Sequence, residues 1–206
     1  MEHLPPIVLE CPECGEKYLV SRYSNLPSEK AILFSDGFFI DDLNWRTPLI
    51  IGCVTCELGF FPQNGKIVAE PDWDEFYTVW SEIKKAQPPT PGALALELRA
   101  RKKMTLFEEV ALRTEFWYAG NHTEPGRLML TKNEKFRKFW IESITTLEQI
   151  IPTDSLNSQL IKAEINRNLG HFERSLSLLD GLENNTAAQI REKALQKDIA
   201  VFQLVK

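Results

Sequence analysis

Cysteine is scarce in this chain of 206 residues: Cys11, Cys14, Cys53 and Cys56 are the only four. That scarcity excludes a disulfide-dense secreted scaffold, which places many half-cystines in a short chain. Met1 to Glu10 holds no basic region followed by an apolar run, so no secretory leader is expected. No stretch approaches the roughly 18 apolar residues of a membrane-spanning helix. Histidine is limited to His3, His122 and His171. None of them stands at metal or triad spacing from a carboxylate or a cysteine. The glycine-rich loops that cradle phosphates and dinucleotides are missing too, which removes the commonest nucleotide-dependent activities. With no catalytic motif in view, a non-enzymatic role is the expectation.

Positive charge is also short in one region. Residues 1–70 carry five basic side chains (Lys17, Arg22, Lys30, Arg46, Lys66) against ten acidic ones, whereas residues 71–206 carry nineteen of each sign. Contact with a phosphate backbone requires a basic footprint. The N-terminal region is therefore a poor phosphate reader, and nucleic acid is not the expected partner.

What the chain does have is pattern. All four cysteines fall in two CxxC pairs, Cys11-Pro12-Glu13-Cys14-Gly15 and Cys53-Val54-Thr55-Cys56. Two thiolates three positions apart reach one tetrahedral ion from a tight turn, and a second such turn completes a four-sulfur site. The expected ligands are Cys11, Cys14, Cys53 and Cys56, holding one zinc per chain in a structural role. Iron competes, because a rubredoxin-type site also uses two CxxC turns, usually each followed by glycine. Gly15 fits that rule and Glu57 does not, which favours zinc over iron. An electron carrier of rubredoxin type stays as an alternative.

The sequence between and after the pairs reads as strands. Ala31 to Phe34 and Phe38 to Asp41 flank Ser35-Asp36-Gly37, a hairpin signal, since the turn needs the positive φ that glycine allows. Phe60-Phe61 and Lys66 to Ala69 flank Asn64-Gly65, a second signal of the same kind. This is the layout of a zinc ribbon with an inserted hairpin.

Helical periodicity follows. Trp73, Phe76, Tyr77, Trp80 and Ile83 recur at three and four, predicting a helix over 73–86. Pro88 to Gly92 breaks it and reads as a linker. Phe107, Val110, Ala111, Thr114, Trp117 and Tyr118 form one later face, and Gly120 to Gly126 reads as a loop. Phe136, Phe139, Trp140, Ser143, Ile144, Leu147 and Ile151 form another face, broken by Pro152. Aromatic stripes at this spacing are core far more often than stacking platforms. Asp154 and Ser155 can cap the next helix. Leu169-Gly170 stops it, and a last helix is expected from about Ala187 to Leu204.

Within Ala163 to Leu176, the residues Ala163, Gly170, Phe172 and Ser175 stand where a tetratricopeptide repeat places small, turn and aromatic residues. The stretch resembles the middle of one such repeat, with Asn166 in place of the usual first-helix aromatic. The chain as a whole resembles a bacterial family of unknown function. Its members open with CPxCG, follow with a second CxxC near an apolar-aromatic segment and finish with tetratricopeptide-like helices. Cys11 to Gly15, Cys53 to Phe61 and Ala163 to Leu176 carry the resemblance. It implies a cytoplasmic bacterial protein and no established activity.

The expected architecture is α+β: a zinc-ribbon domain over 1–70 and a helical, tetratricopeptide-like domain over 71–206. The expected function is protein interaction with an unidentified protein partner, away from membranes. A nucleic-acid role would use two basic clusters, Arg99, Arg101, Lys102 and Lys103, then Arg127, Lys132, Lys135, Arg137 and Lys138. Such clusters are more often solvated helix faces. Asp41-Asp42 reads as exposed strand-end acids.

Overall fold

The computed structural model describes residues 5–22, 27–41, 46–100 and 103–205. The architecture is α+β, with short strands gathered toward the N-terminus and helices after them. Among the described residues the strands are β1 (Ile7–Glu10), β2 (Lys17–Val20), β3 (Ile32–Leu33), β4 (Phe39–Ile40), β5 (Ile51–Gly52), β6 (Gly59–Phe60) and β7 (Lys66–Ala69). The chain divides into two compact units, Met1–Ala31 with Ile40–Met104, and Ile32–Phe39 with Thr105–Lys206. Residues 71–104 thus lie with the strands, and residues 32–39 lie with the helices.

In the first unit, β2, β1 and β7 form one antiparallel sheet in that order, and β5 and β6 form a second. The β1–β2 pair sets Leu9 opposite Tyr18, so both side chains enter one core with Val20, Ile51, Phe60 and Ala86. The Asn64-Gly65 signal does not make a hairpin. Pro62–Asn64 instead forms one 3-10 turn, and Gly65 takes φ −73. The strands on either side separate because β6 pairs with β5 while β7 pairs with β1.

The helix predicted over 73–86 is shorter. A first turn, α1 (Trp73–Glu75), capped by the Asp72 carboxylate, runs into a π-helical turn over Phe76–Trp80. The chain then extends. Lys84 O accepts from Leu19 N at 2.8 Å, Ala86 N donates to Leu19 O at 2.9 Å, and Gln87 O accepts from Gly52 N at 2.8 Å. The backbone groups of β2 and β5 thus find partners in a segment whose side chains alone suggested helix. The proline-rich stretch belongs to this unit as well: Thr90 caps α2 (Pro91–Ala100), and Pro91, Leu94, Ala95 and Leu98 are buried.

The second unit holds α3 (Leu106–His122), α4 (Glu124–Lys132), α5 (Glu134–Ile150), α6 (Leu156–Asn168), α7 (Phe172–Leu178) and α8 (Asn185–Leu195). Polar caps open most of them. Thr105 forms a capping box with Glu108, and Thr123, Asn133, Ser155 and Asn184 each accept from the backbone N–H three residues on. Helix α3 packs on α4 and α5, α5 on α6, and α6 on α7 and α8. The α5 face is buried as its spacing predicted, through Phe136, Trp140, Ser143, Ile144 and Leu147. On α3 the buried stripe is Ala111, Leu112, Phe116 and Trp117, while Phe107 in the first turn is exposed.

Two helix boundaries differ from expectation. Residues 120–126 are not a loop: α3 continues to His122, and Thr123 alone separates it from α4. The glycines there serve close approach. A Cβ at Gly120 would overlap the Trp140 indole, and one at Gly126 would overlap the Ala119 carbonyl. Helix α8 stops at Leu195 instead of Leu204, and residues beyond it pair with the predicted 31–41 hairpin, which does form.

Candidate metal centre

Each CxxC occupies the loop of a short antiparallel pair, the first between β1 and β2 and the second between β5 and β6. The two loops repeat one geometry. Gly15 N donates to Cys11 O at 3.0 Å, and Glu57 N donates to Cys53 O at 3.0 Å. Cys11 N donates to Glu16 O at 2.8 Å, and Cys53 N donates to Leu58 O at 2.9 Å. The residue after the second cysteine has positive φ in both, Gly15 at 78° and Glu57 at 61°. Glycine takes this conformation freely and glutamate does not.

The four sulfurs converge. Cys11 Sγ lies 3.8 Å from Cys56 Sγ, and Cys14 Sγ lies 3.4 Å from Cys53 Sγ. All four lie within 4.8 Å of one another. A tetrahedral ion with metal–sulfur bonds of about 2.3 Å separates its ligands by about 3.8 Å, so the spacing fits a single ion. Cys11 and Cys53 are buried, Cys56 is half-buried and Cys14 is exposed. The four cysteines are positioned to bind a metal ion. With four protein sulfurs in a tetrahedral set, no position is left for water or substrate, so such an ion would tie the two loops together.

Tyr18 is the residue that sequence reasoning missed. Its buried hydroxyl donates to Cys53 Sγ at 3.3 Å and accepts from Val54 N at 3.0 Å. The strand alternation of β2 explains why position 18 faces inward, but nothing in the sequence points its hydroxyl at a cysteine. Thr55 Oγ1 adds a link between the loops by donating to Glu16 Oε2 at 2.8 Å.

The surroundings act in opposite directions on Cys53 and Cys14. At Cys53, burial pushes the pKa up, but the Tyr18 hydroxyl and the N–H groups of Cys56 and Thr55 outweigh it and bring the value down to about 6. At Cys14, the Glu16 N–H lowers the pKa, yet the neighbouring sulfurs and partial desolvation together push it up to about 12. Burial and the adjacent Cys53 sulfur raise the pKa of Tyr18, which keeps its hydroxyl a donor. The Tyr18 hydroxyl and the two loop N–H groups thus favour the thiolate form at Cys53 more than at Cys14.

The other candidates fall in different places. Arg127 and Lys132 lie on α4, and Lys135, Arg137 and Lys138 on α5, all exposed within the second unit. Arg99 and Lys103 lie in the first unit, and Arg101 and Lys102 are outside the described residues. Asp41 is a buried acceptor for Ser28 N at 2.7 Å and Ser28 Oγ at 3.1 Å, rather than an exposed strand-end acid, and Asp42 is outside the described residues. His171 precedes α7 and is exposed, and His3 is outside the described residues. His122 meets the fully buried Asp36 at 2.8 Å and stacks on Phe38 at 4.1 Å, while Asn121 donates to the same carboxylate at 3.0 Å. No sequence signal joins residues 36 and 122.

Comparison of the chain with protein-family models, with curated proteins and with solved structures finds no match. The site is therefore defined by its own geometry. No helix among the described residues is long and apolar enough to cross a membrane.

Proposed function

We propose that the protein is a non-enzymatic protein-interaction module whose first unit is held by one structural zinc on Cys11, Cys14, Cys53 and Cys56. The observation that carries this reading is the complete four-sulfur set, with all donors on backbone-braced loops. Such a site ties the two cysteine loops of the first unit together and adds to the stability of its core. Zinc is favoured over iron because one loop carries Glu57 where iron sites usually carry glycine. Four thiols kept reduced fit the cytoplasm, and the family resemblance adds a bacterial one.

Support for a protein partner comes from exposed apolar surface. Trp73 and Tyr77 stack at 5.8 Å on the first unit, and Phe76 meets both edge-on. Tyr77 is 65% exposed and Val79 61%. Exposed aromatics grouped in this way mark contact surfaces. The helical hairpin of α6 and α7, with Ala163 and Ser175 fully buried at its seam, supports a tetratricopeptide-like scaffold. A zinc with four thiolates adds net negative charge to a region already rich in acids, which opposes nucleic acid there.

The reading is tested by metal analysis and by titration with short DNA and RNA at two salt concentrations. One zinc per chain and no salt-sensitive binding are expected. Iron in natively purified, red protein would favour the electron carrier. Tight, salt-sensitive binding abolished by Lys132→Glu, Lys135→Glu and Lys138→Glu together would favour a nucleic-acid role through the exposed bases of α4 and α5.

A further inference from the structure

Residues 198–205 lie along the second unit as an extended segment, and their backbone is gripped by side chains. Arg167 is fully buried and paired with Glu164 at 2.6 Å. Its guanidinium donates to the carbonyls of Asp198 and Ala200, the latter at 2.8 Å. Asn168 Nδ2 donates to Ile199 O at 2.9 Å. Ser35 meets Phe202 twice, its N–H donating to Phe202 O at 2.9 Å and its Oγ accepting from Phe202 N at 3.2 Å. Leu204 N donates to Leu33 O at 2.8 Å. Gln189 takes both backbone groups of Val205, donating to its O and accepting from its N, each at 2.8 Å.

The side chains of this segment are treated differently. Phe202 packs on the apolar cluster of Ala163, Leu179, Ala187 and Ile190. The Arg167 guanidinium lies 5.1 Å from its ring centre and the Lys193 ammonium 5.8 Å. No side chain from Ile199 to Val205 is fully buried, and Ile199, Gln203 and Val205 are exposed. A structural strand in a core buries alternate side chains. A backbone read almost continuously, with one aromatic anchor and an added strand edge, is the pattern of extended-peptide recognition.

We propose that this groove, bounded by residues 33–35, α6 and α8, is a peptide-recognition site that residues 198–205 occupy in cis. The partner it fits is an extended peptide with one aromatic side chain between aliphatic neighbours. The proposal rests on the protein-interaction reading above and gives it a site. The buried Arg167–Glu164 pair explains how the groove keeps its donors aimed when the segment leaves, because Glu164 Oε1 and Oε2 hold the guanidinium at 2.6 and 2.8 Å. The tethered segment competes with any partner, so apparent affinity falls by the fraction of molecules in which the groove is open.

The test uses the full chain and a fluorescein-labelled peptide of residues 197–206, followed by anisotropy. The native chain should bind it weakly. The Phe202→Ala chain, whose own segment has lost its anchor, should bind it about tenfold more tightly or better. Adding Asn168→Ala and Gln189→Ala to that chain should abolish binding, as should placing Phe202→Ala in the peptide instead. No binding by a Phe202→Ala chain that keeps its helical circular dichroism would overturn the proposal. Should that variant unfold, hydrogen exchange on the native chain decides. Phe202 and Leu204 amides exchanging well before those of α5 support a removable segment, and exchange only together with α5 overturns it. A partner bound equally by native and Gln189→Ala chains would remove the groove and leave the interaction reading standing.

Discussion

Glu57 stands where the geometry asks for glycine, and replacing it should stabilise the protein. The two metal loops share their hydrogen bonds, yet Gly15 sits at φ 78° and Glu57 at 61°. A side chain held in this region costs about 1–2 kcal/mol. Glycine removes that strain but loses about 0.5–1 kcal/mol through the greater freedom of the unfolded chain. Glu57→Gly should therefore gain about 1 kcal/mol net, raising the melting temperature of a unit this size by about 4–8 °C. The Glu57 side chain is exposed, so little packing is lost with it. The assay is thermal unfolding of the zinc-loaded full chain, read by zinc release to a coloured indicator. Glu57→Ala is the control, since it removes the carboxylate and keeps the strain; it should leave the midpoint where it is. Gly15→Ala, by the same two terms, should lower stability by about 1 kcal/mol. An equal rise with Glu57→Gly and Glu57→Ala would refute the argument, because charge beside the thiolates would then be the cause.

Elemental analysis should give one zinc per chain, and Cys53→Ser should unfold the strands of the first unit while most of the helical signal survives, given apparent zinc energies of about 10–16 kcal/mol in small domains; a first unit left intact by proteolysis would count against a structural site. Tyr18→Phe should weaken zinc binding by about 10–100-fold in competition with a chelator, because the hydroxyl that orients Cys53 is gone; unchanged affinity would make Tyr18 a packing residue only. Arg167→Met should cost about 3–5 kcal/mol in urea unfolding, because it leaves the fully buried Glu164 without its cation; a loss under about 1 kcal/mol would show that the pair contributes little. Gly126→Ala should lower the melting temperature of the helices, since its Cβ would overlap the Ala119 carbonyl; an unchanged midpoint would mean that α3 and α4 can slide apart freely.

The sequence by itself determined what depends on neighbours along the chain. The two CxxC turns announced two ligand pairs because a pair three residues apart is a local device, while bringing Cys14 to Cys53 across 39 residues took the packed chain. The α5 face was legible because helical period alone decides which of its side chains share a side. Ser155 as a cap and Gly170 as a stop were legible for the same reason. Tertiary structure decided whatever required a distant partner. Residues 84–86 left the helical pattern, and Gln87 followed them, because Leu19 and Gly52 needed backbone partners. Gly120 and Gly126 looked like loop residues and serve close helix contact, a distinction that depends on Trp140 and Ala119 lying beside them. Residues after Leu195 left the helix to meet Ser35 and Arg167, far apart in sequence. Tyr18 was aimed at Cys53, and Asp36 at His122, across separations of 35 and 86 residues. Periodicity reports which face of an element is apolar. Only the packed chain satisfies backbone groups and buried charges, and that requirement chose among the folds the pattern allowed.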